Sequence, residues 1–167
     1  VISVNNATLT LKWMTFLNNS AANGGVLSAI GNSQVIINYG IFNGNSALSG
    51  GALVFQDATT YNITNSTFLG NTAGMSGGAI YASANGIASI KTSYFDANES
   101  ASSGGTIVSY GSLTIDKSTF SNNIANAHTT KTADGTPYRR QSVSVSASDA
   151  ADFDSAYEQA AFGADIN

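Results

Sequence analysis

The side chains able to do acid–base or metal chemistry in this sequence are few and scattered. Residues 1–127 hold four acids, Asp57, Asp96, Glu99 and Asp116, and the chain has a single histidine, His128. Cleavage of a glycosidic bond needs two carboxyl groups roughly 5–9.5 Å apart. A calcium ion wants roughly six to eight oxygen ligands. Asp96 and Glu99 flank Asn98 and are the closest approach to a weak Ca²⁺ site, with two acids where more are needed. His128 stands in a polar stretch with no evident nucleophile beside it. The absence of cysteine excludes disulfides and thiolate metal sites. Whether acids far apart in sequence meet depends on the frame that carries them.

That frame is a repeat. Phe16, Phe42, Phe68, Phe95 and Phe120 recur at intervals of 26, 26, 27 and 25 residues. Three places after each stands an asparagine: Asn19, Asn45, Asn71, Asn98 and Asn123. Glycine pairs follow the first four (Gly24-Gly25, Gly50-Gly51, Gly77-Gly78, Gly104-Gly105), each with an apolar residue two places on: Leu27, Leu53, Ile80 and Ile107. Five places before each phenylalanine come Leu11, Ile37, Ile63, Ile90 and Ile115. A repeat of this length and regularity marks a solenoid.

Each copy reads as short strands broken by Gly/Asn/Ser turns, with no stretch of helical spacing. In the third copy, strands are expected at 51–55, 60–63 and 66–68, closed by a turn at Asn71. Period-two alternation points Leu53, Phe55, Tyr61, Ile63 and Phe68 one way and Val54, Asn62 and Thr67 the other. Such a unit cannot bury a face alone, but coils stacked about 4.8 Å apart with like residue over like can. The expectation is an all-β fold, a single-stranded parallel β-helix of about five coils of ~26 residues. The phenylalanines then form an inward stack, and the asparagines a ladder in which each amide links the copies above and below. The glycine pairs mark a place where positive φ or close backbone approach excludes Cβ.

Placed on this frame, the acids disperse. Counted from the nearest repeat phenylalanine they lie at −11, +1, +4 and −4, so no column holds two. Asp116 shares its column with Lys91, an arrangement that predicts a surface ion bridge. No catalytic residue, metal ligand or cofactor is therefore expected. A contact face is more plausible. Two columns counted from the glycine pairs are expected to face solvent: Val26, Ala52, Ala79, Thr106, and Ser28, Val54, Tyr81, Val108. So apolar a face on a low-charge rod is a candidate interaction surface. Trp13 and Tyr39, three before their phenylalanines, share another outward column and are placed to stack as a small sugar platform. Asn-x-Ser/Thr occurs at Asn6, Asn18, Asn62, Asn65 and Asn98, about as often as chance allows in a chain with 18 asparagines.

Charged residues make up 10% of the 167, and the net charge is −4. Sparse basic residues exclude an electrostatic nucleic-acid footprint, and no apolar run is long enough to span a membrane. The repeat fails after Asn123, dividing the chain into repeats at 1–127 and a different segment at 128–167. The latter reads as a loop around Pro137, an edge strand within 141–147 carrying Val143 and Val145, and a short amphipathic helix from Asp149 with Ser148 as N-cap. An open β-helix end exposes unpaired backbone, and this segment is the candidate cap. Because Val1 is not an initiator methionine and the repeat begins in mid-unit, the chain reads as a piece of a longer protein.

The pairing of Gly77-Gly78-Ala79-Ile80 with Phe95-Asp96-Ala97-Asn98, and of Gly50-Gly51-Ala52-Leu53 with Phe42-Asn43-Gly44-Asn45, resembles the polymorphic outer-membrane protein family of autotransporter adhesins. The resemblance covers about residues 5–127; Val26 and Thr106 depart from the alanine, and the fifth copy lacks the glycine pair. It implies a right-handed helix, exported and displayed extracellularly or on a cell surface, acting in adhesion. The resulting expectation is a non-enzymatic structural or adhesion segment. Its partners would be a protein, a second copy met through the side or ends of the rod in a fibre, or surface glycans. Parallel β-helices also include pectate-lyase-like lyases and hydrolases, the enzymatic alternative. Those pair acidic calcium ligands with a basic residue on an adjacent coil, whereas Arg139 and Arg140 lie outside the coils.

Overall fold

The structure, a computed structural model, describes residues 1–83, 86–125 and 144–145. Every strand in it pairs in parallel with its counterpart about one repeat away, so the molecule is a parallel β-solenoid of about five coils, and the described residues contain no helix. The coil has four sides rather than the three read from the sequence. The first sheet stacks Ile2–Asn5, Leu27–Ile30, Leu53–Phe55, Ile80–Ala82 and Ile107–Ser109. The second stacks Thr8–Lys12, Gln34–Asn38, Thr60–Thr64, Ile87–Lys91 and Ser112–Asp116, followed by Ser144–Val145. The third carries the phenylalanines in Thr15–Leu17, Ile41–Asn43, Thr67–Leu69, Tyr94–Asp96 and Thr119–Ser121.

The fourth sheet, Ser46–Ser49, Thr72–Ser76, Glu99–Ser100 and Ile124–Ala125, is the side that sequence reasoning missed. Its only regular inward column is Ala47, Ala73, Ser100 and Ala125, and small residues between Gly and Ser give no alternating apolar signal. What pairs these segments is the asparagine turn that delivers them, one above another, at the right height.

The five phenylalanines form a continuous stack, with centroid separations of 5.1, 4.7, 4.7 and 4.8 Å and near-parallel planes. Those distances match the spacing of hydrogen-bonded strands, so ring pitch and backbone pitch agree and neither is strained. Phe42, Phe68 and Phe95 are fully buried. Leu11, Ile37, Ile63, Ile90 and Ile115 pair in register beside them, and Leu27, Leu53, Ile80 and Ile107 line the first sheet. The third coil is filled differently. Phe55 and Tyr61 stack across the interior at 4.1 Å, and their neighbours in the columns are Ala29, Ala82, Val35 and Ala88. Large residues in one coil thus sit between small ones in the next, which keeps the interior at close-packed density.

Two features of the register explain the uneven repeat length. The 27-residue interval contains a bulge: Ala47 pairs with Ala73, but Ser49 pairs with Ser76, one residue further on. The 25-residue interval comes from a shorter arc. Four residues separate Phe55 from Thr60 and Ala82 from Ile87, but two separate Ser109 from Ser112. The strand partners on both sides stay in register.

The corners are single residues in left-handed backbone. Trp13, Tyr39, Asn65, Thr92 and Lys117, each three before a phenylalanine, have φ between 50° and 56°. Asn18, Gly44, Gly70, Ala97 and Asn122, each two after it, have φ between 52° and 65°. A strand of three to five residues followed by one αL residue turns the chain through the corner without a loop.

Tyr61 is the buried ionisable group. Its hydroxyl has no hydrogen-bond partner of good geometry. Burial raises its pKa well above that of a free tyrosine, with a side-chain interaction from Ser109 opposing in part. Because the folded state prefers the neutral phenol, its contribution is fully present below pH ~10 and is lost as the pH rises above that unfolded value. Tyr61→Phe is therefore expected to change stability at pH 7 by less than about 1 kcal/mol. It should also flatten the loss of stability above pH ~10, read by urea unfolding from pH 7 to 11. An alkaline limb as steep in the variant as in the parent would assign the loss to other groups.

The helix and loop expected between 128 and 167, and with them His128, Pro137, Arg139 and Arg140, lie outside the described residues. Of the expected edge strand, Ser144–Val145 pairs in parallel with Thr114–Ile115.

Candidate functional site

The most ordered polar feature is the asparagine ladder. Asn71 Oδ1 accepts from the backbone N–H of Asn45 at 3.1 Å and from Asn45 Nδ2 at 3.0 Å. Asn71 Nδ2 donates to Asn98 Oδ1 at 2.9 Å and to the Phe42 carbonyl at 3.0 Å. The same pattern links Asn19 to Asn45 and Asn98 to Asn123. Asn45, Asn71 and Asn98 are fully buried, and both amide hydrogens of each are used. The Asn98 sequon is thereby closed to modification in the folded chain, whereas Asn6, Asn18, Asn62 and Asn65 are exposed.

A second ladder was missed. The Ser66 hydroxyl accepts from Gly40 N–H, Ser93 from Ser66 N–H, and Ser118 from Ser93 N–H, at 3.1–3.2 Å. Each hydroxyl donates in turn to the carbonyl two residues before it. Serines two before Phe68, Phe95 and Phe120 were the available signal, hidden in a serine-rich chain and by Met14 and Gly40 in the first two copies.

The glycine pair divides its work. The first glycine of each pair has φ between 56° and 70° (Gly24, Gly50, Gly77, Gly104). The second is excluded a side chain by distance: a Cβ on Gly51 would lie 2.6 Å from Thr72 O and 2.8 Å from Thr72 N. The wall that begins after the pair is pinched against the fourth sheet, backbone against backbone.

The expected contact face is not open to solvent, and this corrects the sequence reading. Val26, Ala52, Ala79 and Thr106 are buried. Alternation fails there because the strand begins one residue later. The Ala52 carbonyl accepts from both Val26 N–H and Leu27 N–H, and Ala79 and Thr106 repeat the pattern. That bend sends two consecutive side chains inward. Val54 and Val108 are also buried. Their Cγ2 atoms fold over Gly50 and Gly104, four residues before, where a Cβ would collide with them. Ser28 is half-buried, as is Tyr81, which meets Tyr110 edge-on with ring centres 6.1 Å apart. Most of the exposed apolar side chains lie elsewhere, among them Leu17 on the third sheet, Leu48, Met75 and Ile124 on the fourth, Ile87 on the second, and Trp13 with Tyr39 at a corner.

The acids make separate contacts. Asp96 Oδ1 accepts from Asn122 Nδ2 at 2.9 Å, Asp57 Oδ2 caps Gly31 N–H at 2.9 Å, and Glu99 is exposed. Lys91 and Asp116 are register partners, but no ion pair closes between them. Among the described residues, no three of His, Asp and Glu gather in a metal-sized cluster. Trp13 and Tyr39 stack with centroids 3.8 Å apart and planes 2° from parallel.

The family comparison falls on the coil whose geometry is clearest. The model of the Chlamydia polymorphic membrane protein repeat matches residues 65–83, from the αL corner at Asn65 through Phe68, Asn71 and Gly77-Gly78 to Ile80 and beyond. That match and the parallel solenoid around it fit a polymorphic membrane protein-like repeat protein. No curated protein and no solved structure matches it. Every signature residue of this polymorphic membrane protein-like repeat has a part in the rod: ring stack, amide ladder, αL glycine or backbone contact. The motif that defines the repeat is thus a statement about stacking, and its outward positions are left to differ from coil to coil.

Proposed function

We propose that this chain is a non-enzymatic segment of a surface-displayed or secreted protein, acting in adhesion or assembly through the side and ends of the rod. The carrying observation is the match to a membrane-protein repeat whose signature residues are all spent on an interior filled by stacked side chains. What such a rod offers a partner is its outer surface. On the fourth sheet Leu48 and Met75 are each more than half exposed, on neighbouring strands. This exposed pair favours a lateral protein contact.

The test is attachment of the purified chain to cultured epithelial cells, with sedimentation to follow self-association. Leu48→Asp with Met75→Asp is expected to weaken a lateral contact by about 2 kcal/mol, roughly 30-fold, with the β-sheet circular dichroism unchanged. Attachment and association that survive both changes would remove this face from the proposal. Cleavage of an acidic polysaccharide by the purified chain, with or without Ca²⁺, would overturn the non-enzymatic reading.

A further inference from the structure

The corner three residues before each phenylalanine is left-handed in every coil, and three coils fill it with Asn65, Thr92 and Lys117. The first two coils fill it with Trp13 and Tyr39 instead. A bulky residue in that region is strained. Burial offsets little of that strain at Trp13, which is 73% exposed, and part of it at Tyr39, which is 41% exposed. The ring–ring contact adds a modest stacking attraction. The other coils hold the same corner with three different non-aromatic residues, so the backbone does not call for an aromatic residue there.

The rings stand face to face and project from the corner as a two-ring ridge. Tyr39 is followed in the column by the shorter, exposed Asn65, which leaves a step beside the phenol ring. That step is polar and organised. Asn38 Oδ1 accepts from Thr64 Oγ1 at 3.0 Å and from Asn65 Nδ2 at 3.2 Å. Asn65 is thus held in place with its Oδ1 and its second amide hydrogen still available. Exposed Met14 and Ile41 follow the two rings by one and two places in sequence, Lys12 precedes Trp13, and the nearest acid in sequence, Asp57, is engaged with Gly31 at another corner.

A flat aromatic face beside a fixed amide and hydroxyl matches a pyranose ring, which has C–H bonds gathered on one face and hydroxyls around its rim. We propose that Trp13 and Tyr39, with the Asn38–Thr64–Asn65 network, form a binding site for a β-linked pyranoside, a contact that rests on the adhesive role above. Among the described residues no carboxylate shares the ridge's corner or column, which fits a neutral sugar.

Trp13 is the single tryptophan of the chain, so its emission reports directly on the ridge. Titration with lactose, cellotriose and chitotriose is expected to give a saturable change in emission with at least one of them, and maltotriose a weaker one. Tyr39→Asn should weaken that binding at least tenfold, about 1.4 kcal/mol, while the melting temperature stays level or rises. No saturable response to any β-linked sugar overturns the site. So does a response that survives Tyr39→Asn, or a lowered melting temperature with the titration unchanged, which would mark the pair as structural. The Trp13→Asn/Tyr39→Asn double variant, followed by calorimetry, separates this site from the adhesive role. Cell attachment that persists at full strength overturns the ridge as the adhesive contact and leaves adhesion standing. Sugar binding by the parent without any cell attachment supports the site and counts against adhesion.

Discussion

Gly78→Ala is expected to destabilise the rod by about 4 kcal/mol or more, enough to open the stack between neighbouring coils. A Cβ at this position would overlap the Gly105 carbonyl oxygen and lie 2.7 Å from Glu99 N and 2.8 Å from Glu99 C. All three obstacles are backbone, so no side chain can rotate away, and relief requires moving the fourth sheet from the wall it is pinched against. Gly70→Ala is the control. Gly70 has φ +54° but nothing within 4 Å of the added carbon, so only the left-handed penalty of about 1–2 kcal/mol applies. Urea unfolding of the two variants measures the difference. Equal midpoints would mean that close approach is not what the second glycine of the pair is for.

Asn71→Ala is expected to cost about 4 kcal/mol, the second large effect. The substitution removes four hydrogen bonds from a fully buried amide. The N–H of Asn45, one hydrogen of its side-chain amide and the Phe42 carbonyl each lose a partner where water cannot replace it. Each buried group so stranded costs about 1–3 kcal/mol, and relaxation of the neighbouring coils keeps the sum below simple addition. Asn19 is half-buried at the start of the ladder and its side chain donates to Asn45 alone. Asn19→Ala should therefore cost about 1 kcal/mol. Hydrogen exchange at the Asn45 amide gives an independent reading, fast in Asn71→Ala and near the parent rate in Asn19→Ala. Similar losses in the two variants would show that the ladder's stability does not come from its buried rungs.

These two variants probe the parts of the fold that were legible beforehand. Phe68, Asn71 and Gly78 announce themselves because a solenoid must repeat whatever points inward at each corner, and the same residue type then returns at the coil period. The Leu11-to-Ile115 and Leu27-to-Ile107 columns were readable for the same reason. The Trp13–Tyr39 stack followed from spacing alone, since side chains in one column are separated by the strand pitch. Ser66, Ser93 and Ser118 form a ladder just as regular, yet serine is common throughout the chain and its column was lost in the background.

What the amino-acid order determined without help is the stacking: the period, the inward columns, the parallel pairing and the coil count, all set by residues that recur. The tertiary structure decided where the recurring signal is weak. It added the fourth sheet, whose alanines and serines are held by the turn that precedes them. It turned Val26, Ala52, Ala79 and Thr106 inward, because one carbonyl accepting two N–H groups breaks the alternation on which the outward reading relied. It also folded Val54 and Val108 over glycines that leave room for them. Alternation is a property of an extended strand, and at a corner the backbone is not extended. Faces assigned by counting fail beside the turns, and within a strand an outward residue such as Val54 or Val108 is still covered where a glycine leaves room for it.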